Sequence, residues 1–123
     1  MRKEKKLLKS FKNAFRGIIA TVKTERNMKI HIAVSVFVIA LGIHVGLSAV
    51  HWAFVVIAIG LVMVAETVNT AIEKICNLIS IKHNQKIKEV KDIAAGAVLI
   101  AAIVAVLIAC CVFLPYFFSL AFC

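Results

Sequence analysis

Two long stretches of this chain contain no Asp, Glu, Lys or Arg: Ile30–Ala65 and Ile93–Cys123. A 123-residue chain that is 63% hydrophobic, with mean hydropathy +1.00, has too much apolar surface to hide inside a soluble domain. A bilayer hides it instead. There, each segment must satisfy its own backbone, which selects helices. A span takes ~20 apolar residues, so the first stretch is too long for one. It breaks at Gly46–His51, where Gly, Ser and His fall close together. The pattern predicts an all-α integral membrane protein, one domain over residues 1–123, with spanning helices at about 30–47, 51–80 and 93–120.

The net charge of +9 is unevenly placed. Ten of the 15 Lys and Arg precede Ile30, and the rest are Lys74, Lys82, Lys86, Lys88 and Lys91. Lys and Arg collect on the cytoplasmic side. This puts the N-terminus and the second connection in the cytoplasm and the C-terminus outside, in a multi-pass plasma-membrane protein. Such a basic, greasy chain suits anionic lipid headgroups and nucleotide phosphates better than nucleic acid. No cleavable signal peptide is evident, since the first apolar run starts near Ile30 without a small-residue cleavage site after it. Cys76, Cys110, Cys111 and Cys123 form no CxxC and read as small core residues.

Ahead of the first span, Leu7, Leu8, Phe11, Phe15, Ile18, Ile19 and Val22 recur every three or four residues among Lys and Arg. That is the pattern of a basic amphipathic helix, over residues 1–27, lying on the membrane surface. Further on, Asp92 is placed to cap the third span. Ala97, Ala101, Ala105 and Ala109 form a small-residue seam, Gly42 and Gly46 a GxxxG. Pro115 should bend or end the last helix, with Trp52 and Tyr116 in the outer interface belt. His31, His44 and His51 look interfacial and His83 falls in a loop, none of them a convincing metal ligand.

The chemistry concentrates in AETVNTAIEKICN, where Glu66, Asn69 and Glu73 share one helix face at i, i+3 and i+7. Carboxylates entering a membrane helix are costly and therefore mark function. Counting from His51, Glu66 lies ~22 Å into the bilayer, in its inner third, and Glu73 is near the inner interface. Glu25 and Lys91–Asp92 reach the same layer, so four of the six acidic residues meet there. Glu66 and Glu73 are ~10 Å apart along the axis, too far to share one metal ion directly. Glu66 suits a general base for a hydroxyl presented at bilayer depth. Glu73 and Glu25 suit hydrated Mg²⁺ bridged to phosphate oxygens. Asn69 can orient an oxygen between them, and Lys91 offers charge to phosphate at a helix N-terminus. Together these describe phosphoryl transfer from a nucleotide to a lipid alcohol. Each part has a blander alternative: helix glue for Glu66, an interfacial pair for Glu73 with Lys74, a solvated Glu25, a plain cap for Lys91–Asp92. No P-loop, GxGxxG, HRD or DFG element is present.

In TERNMKIH, ETVNTAIE and KDIAAGAV, taken in order, the chain resembles the prokaryotic diacylglycerol kinase family over nearly its whole length. The TERN-x-x-x-H wording is similar to the Gram-positive branch, mainly undecaprenol kinases. The resemblance implies a homotrimer of three-span subunits with surface helices and active sites shared between neighbours. It implies ATP as phosphoryl donor, Glu66 as catalytic acid/base, and Glu25 and Glu73 as ligands of Mg²⁺ on the ATP phosphates. Asn69, Lys91 and Asp92 would support nucleotide and transition state. Two departures stand out: Asn77 where relatives often carry Asp, and Asn13 where some carry an aromatic residue.

The leading expectation is therefore an ATP-dependent lipid kinase acting on undecaprenol, with diacylglycerol as the alternative acceptor. Two other classes remain. A small transporter or pore subunit would need polar residues through the outer half of the spans, where Trp52–Val64 and Leu99–Phe113 are almost wholly apolar. A structural or holin-like protein would be indifferent to Glu66→Gln and Glu73→Gln.

Overall fold

The computed structural model describes residues 2–79 and 84–121. The connection holding Lys82 and His83, and the C-terminal Cys123, lie outside the described residues. Four helices follow one another: α1 (Arg2–Thr24), α2 (Arg26–Val45), α3 (Ala49–Ile79) and α4 (Gln85–Ala121). The last three are long and apolar enough to cross a membrane. At 1.5 Å per residue α3 runs ~46 Å, well beyond a hydrocarbon core of ~30 Å. Its excess length carries the polar stripe.

Breaks between helices have local causes. At Glu25 the backbone turns extended (φ −102°, ψ 119°), separating α1 from α2. Gly46 ends α2 in the left-handed region (φ 77°), which glycine adopts without steric penalty. The Gly46 N–H donates to the Gly42 carbonyl at 2.9 Å, and the Leu47 N–H reaches back to the same oxygen at 3.2 Å, closing the helix end. So Gly42 and Gly46 serve a turn, and Gly42 also lets α3 approach: its Cα faces the Trp52 ring and Leu47.

α3 is the central element, packing along α4 and, less extensively, against α2. Its buried positions, Val55, Ala58, Val62, Glu66, Asn69, Thr70 and Cys76, trace one helical face. Toward the end bearing Trp52, Leu47, Val55, Val112 and Phe113 form a tight apolar cluster. His51 Nδ1 and the Tyr116 hydroxyl share a hydrogen bond of 3.0 Å, and their rings meet edge to face with centroids 5.7 Å apart. On α4 the packed positions are Ala94, Ala101, Val112 and Phe113, with Ala105 and Ala109 half-buried. Ala97 is exposed and leaves the expected seam, because a spacing of four drifts round a helix of 3.6 residues per turn.

Two expectations about α4 are corrected. It begins at Gln85, about two turns before the expected start, so Asp92 lies inside the helix and caps nothing. Asn84 is the cap instead, its Oδ1 accepting the Lys86 N–H at 2.9 Å. Pro115 does not end α4, which continues to Ala121; prolines are tolerated in membrane helices, where neighbouring groups re-satisfy the freed carbonyl.

A Cβ at Gly42 would fall 2.7 Å from Trp52 Cη2 and 2.9 Å from Leu47 Cδ1, one of them on a rigid ring. Gly42→Ala is expected to destabilise the protein by roughly 1–3 kcal/mol, as other overpacking changes do, and to lower its thermal midpoint in detergent. Gly17→Ala, in open space on α1, is expected to leave that midpoint unchanged or raise it, because alanine favours helix by ~1 kcal/mol.

Candidate active site

Glu66 is the most thoroughly buried large side chain, 1% exposed. The apolar run before it gives it no shelter from water on its own; the packing of α2 and α4 over that face of α3 does. His31, on the first turns of α2, meets it: Nε2 lies 3.6 Å from Glu66 Oε2, within ion-pair range. Oε2 itself is buried without a hydrogen bond. One turn on, the Thr70 hydroxyl donates to the Glu66 carbonyl at 3.0 Å, a bond along its own helix that leaves the carboxylate untouched.

Asn69 and Glu73 are linked. Asn69 Nδ2 donates to Glu73 Oε1 at 3.4 Å, a long bond made possible by their i, i+4 spacing. Asn69 is 5% exposed, and its Oδ1 is buried with no partner. Glu73 is half-buried. The face continues to Asn77, whose Oδ1 accepts a hydrogen bond from Lys91 Nζ of α4 at 2.8 Å. The substituted amide thus still serves the lysine. Lys91 is inside α4, so the expected helix-terminus phosphate site is not formed there. Asp92 is exposed and accepts from Lys88 Nζ at 2.8 Å, an i, i+4 pair on the surface. Glu25 marks the α1–α2 junction, half-buried, and its side chain makes no capping bond.

Thus Glu66, Asn69 and Glu73 lie along one face of α3, Lys91 of α4 reaches Asn77 on that face, and Asp92 bonds Lys88 of its own helix. Among the described residues no three His, Cys, Asp or Glu side chains come together as a metal cluster. Sequence reasoning missed His31 as the partner of Glu66; its signal was the histidine closing TERN-x-x-x-H. Thr21, 6% exposed at the end of α1, was missed as well.

A groove opens beside the pair. His31, Val34, Ser35 and Val38 of α2, Val55, Ala58, Ile59 and Val62 of α3, and Ala102, Ala105, Val106 and Ala109 of α4 line about 660 Å³, its open mouth included. Small side chains on α3 and α4 leave the space, and α2 stands too far from α4 to close it. The groove extends ~10 Å from His31 toward the Trp52 end, seven residues on each helix. Except at His31 and Ser35 its walls are hydrocarbon.

A buried carboxylate 3.6 Å from a histidine that lines an apolar groove, with further acidic and amide groups on the same helix face, is an arrangement that suits chemistry on the polar head of a lipid. The chain belongs to the prokaryotic diacylglycerol kinase family, whose model matches residues 12–113. It is a membrane lipid kinase. It is 41% identical over 110 residues to an undecaprenol kinase of Bacillus subtilis (strain 168), covering 89% of each chain. It is 39% identical over 115 residues to a diacylglycerol kinase of Synechocystis sp. (strain ATCC 27184 / PCC 6803 / Kazusa), covering 93% of this chain and 66% of that protein.

The Lys91–Asn77 bond gives a direct check. Asn77→Asp preserves an oxygen acceptor for the lysine and is expected to keep kinase activity within about threefold, exposed pairs of this kind being worth ~0–1 kcal/mol. Asn77→Leu frees Lys91 and is expected to raise the KM for ATP. Equal behaviour of the two variants in a steady-state ATP titration would deny the bond any part in the site.

Proposed function

We propose that this kinase transfers the γ-phosphoryl group of ATP to undecaprenol, giving undecaprenyl phosphate. The observation that carries the reading is Glu66: a residue 1% exposed, its Oε2 without a hydrogen bond and 3.6 Å from His31, which lines the end of an apolar groove. The acceptor's chain lies in the groove, which brings its hydroxyl to Glu66. Glu66 takes the hydroxyl proton as the oxygen attacks the γ-phosphorus, a role for which burial and reach are the requirements. The acceptor is inferred from the Bacillus relative and the TERN-x-x-x-H wording; diacylglycerol is the alternative, after the cyanobacterial relative.

Nucleotide and metal belong at the shallower end of the same face. Glu73, Glu25 and the Asn69 Oδ1, which has no hydrogen bond, are all oxygen donors, the kind that Mg²⁺ prefers. Glu73 and Glu25 would hold Mg²⁺, which when bound neutralises charge on the ATP phosphates. Asn69 keeps the Glu73 carboxylate oriented through its Nδ2, and Lys91 supplies positive charge to phosphate. Asp92 acts at the nucleotide end only if its bond to Lys88 opens.

The cytoplasmic side is the end carrying α1, where positive charge collects. Leu7, Leu8, Phe11, Phe15, Ile18 and Ile19 are exposed on α1 among its lysines and arginines, suited to insertion among anionic headgroups. On α3, Phe54, Ile57, Leu61, Val64, Val68, Ala71 and Ile75 are all exposed and recur at alternating steps of three and four. Such spacing suits a helix–helix contact, and with the family it is what supports a homotrimer in which neighbours complete the sites.

The test is transfer of labelled γ-phosphate to undecaprenol or diacylglycerol in mixed micelles. Wild-type protein is expected to prefer undecaprenol, and Glu66→Gln to lose about 10²–10⁴-fold in kcat, the usual worth of a general base. Preference for diacylglycerol overturns the acceptor; full activity of the variant overturns the base.

A further inference from the structure

Glu66 is sealed from water, and that creates a problem of proton balance. When an alcohol is phosphorylated, its oxygen bonds to the γ-phosphorus and the bond from that phosphorus to the ADP oxygen breaks. The hydroxyl proton stays on the base. A second turnover requires the base to lose it. The Glu66 side chain is 2% exposed, its Oε2 is buried without a hydrogen bond, and Thr70 bonds only the backbone carbonyl.

His31 is the group placed to resolve this. Its Nε2 stands 3.6 Å from Glu66 Oε2, and its own side chain is 22% exposed. It also lines the head of the groove. The Ser35 hydroxyl donates to the His31 carbonyl at 2.7 Å, so Ser35 bonds the backbone there and not the ring. Among the described residues lining this end of the groove, α4 contributes Ala102 and Val106 and α3 contributes Val62, none of which can take a proton. Catalytic contacts are often long before substrate binds and shorten in the complex.

We propose that His31 is a positioning residue for Glu66 that also carries away its proton. The imidazole holds Oε2 toward the head of the groove; after transfer, the proton passes from Oε2 to Nε2 and leaves from the ring's exposed edge to water. Nothing else is consumed, and the carboxylate is restored. The inference rests on Glu66 being the base.

Three variants test it in the undecaprenol assay, each first shown to have wild-type elution in detergent. His31→Gln retains size and hydrogen bonding but cannot take a proton, so its kcat is expected to fall about 10²-fold with the KM for ATP and lipid within about twofold of wild type. His31→Ala is expected to fall alike and to regain activity, saturably, with added imidazole, for which the groove has room. A His31→Gln enzyme with wild-type kcat, a change confined to KM, or no rescue of His31→Ala by imidazole overturns the proposal. Glu66→Gln separates the two levels: if it stays active, the base and the relay fall together. If it is dead while His31→Gln is normal, the relay alone is wrong.

Discussion

A carboxylate held out of water inside an apolar bundle is the costly element on which the rest of this protein turns. Glu66 has His31 as its facing group at ion-pair distance and no hydrogen bond to Oε2. Burying such a group without a hydrogen bond costs several kcal/mol. Packing of α2 and α4 against α3 holds it there, with His31 both beside the carboxylate and on the wall of the groove. On the proposed function, that cost keeps a proton acceptor where a lipid hydroxyl would arrive.

α3 organises both halves of this chemistry. Its buried face changes character along its length. Val55, Ala58 and Val62 wall the groove, Glu66 lies one turn beyond Val62, and Asn69, Glu73 and Asn77 follow at helical intervals. The helix is longer than a bilayer's hydrocarbon core, so its apolar half and its polar half can lie in different media. Lys91, from α4, joins this face by its bond to Asn77. A kinase without a P-loop, GxGxxG, HRD or DFG element thus arrays acidic and amide groups along one helix, with a lysine reaching in from the next.

Much of this was legible in the residues. Uncharged runs announced the three long helices, and the spacing of Glu66, Asn69 and Glu73 placed them on one face, where Asn69 and Glu73 are indeed linked. The failures have physical causes. Asp92 looked like a cap because the apolar run starts just after it, yet helix formation continues back through the polar Gln85–Lys91 segment, where Asn84 caps. The alanine seam was drawn at intervals of four, and Ala97 falls off it. His31 was passed over because its partner lies far away in sequence, on another helix. Nothing in periodicity reports such a pairing; only the antiparallel packing of α2 on α3 brings the two together.

The seating of the acceptor beside Glu66 is tested most directly by photo-crosslinking with an undecaprenol analogue carrying a diazirine within its first isoprene units. Labelling is expected at His31, Val34, Ala102 and Val106, the residues at the head of the groove, and is expected to fall when unlabelled undecaprenol competes. Labelling spread over outward-facing Val36, Phe37 and Val104, unaffected by competitor, would contradict a groove that delivers the lipid hydroxyl to Glu66.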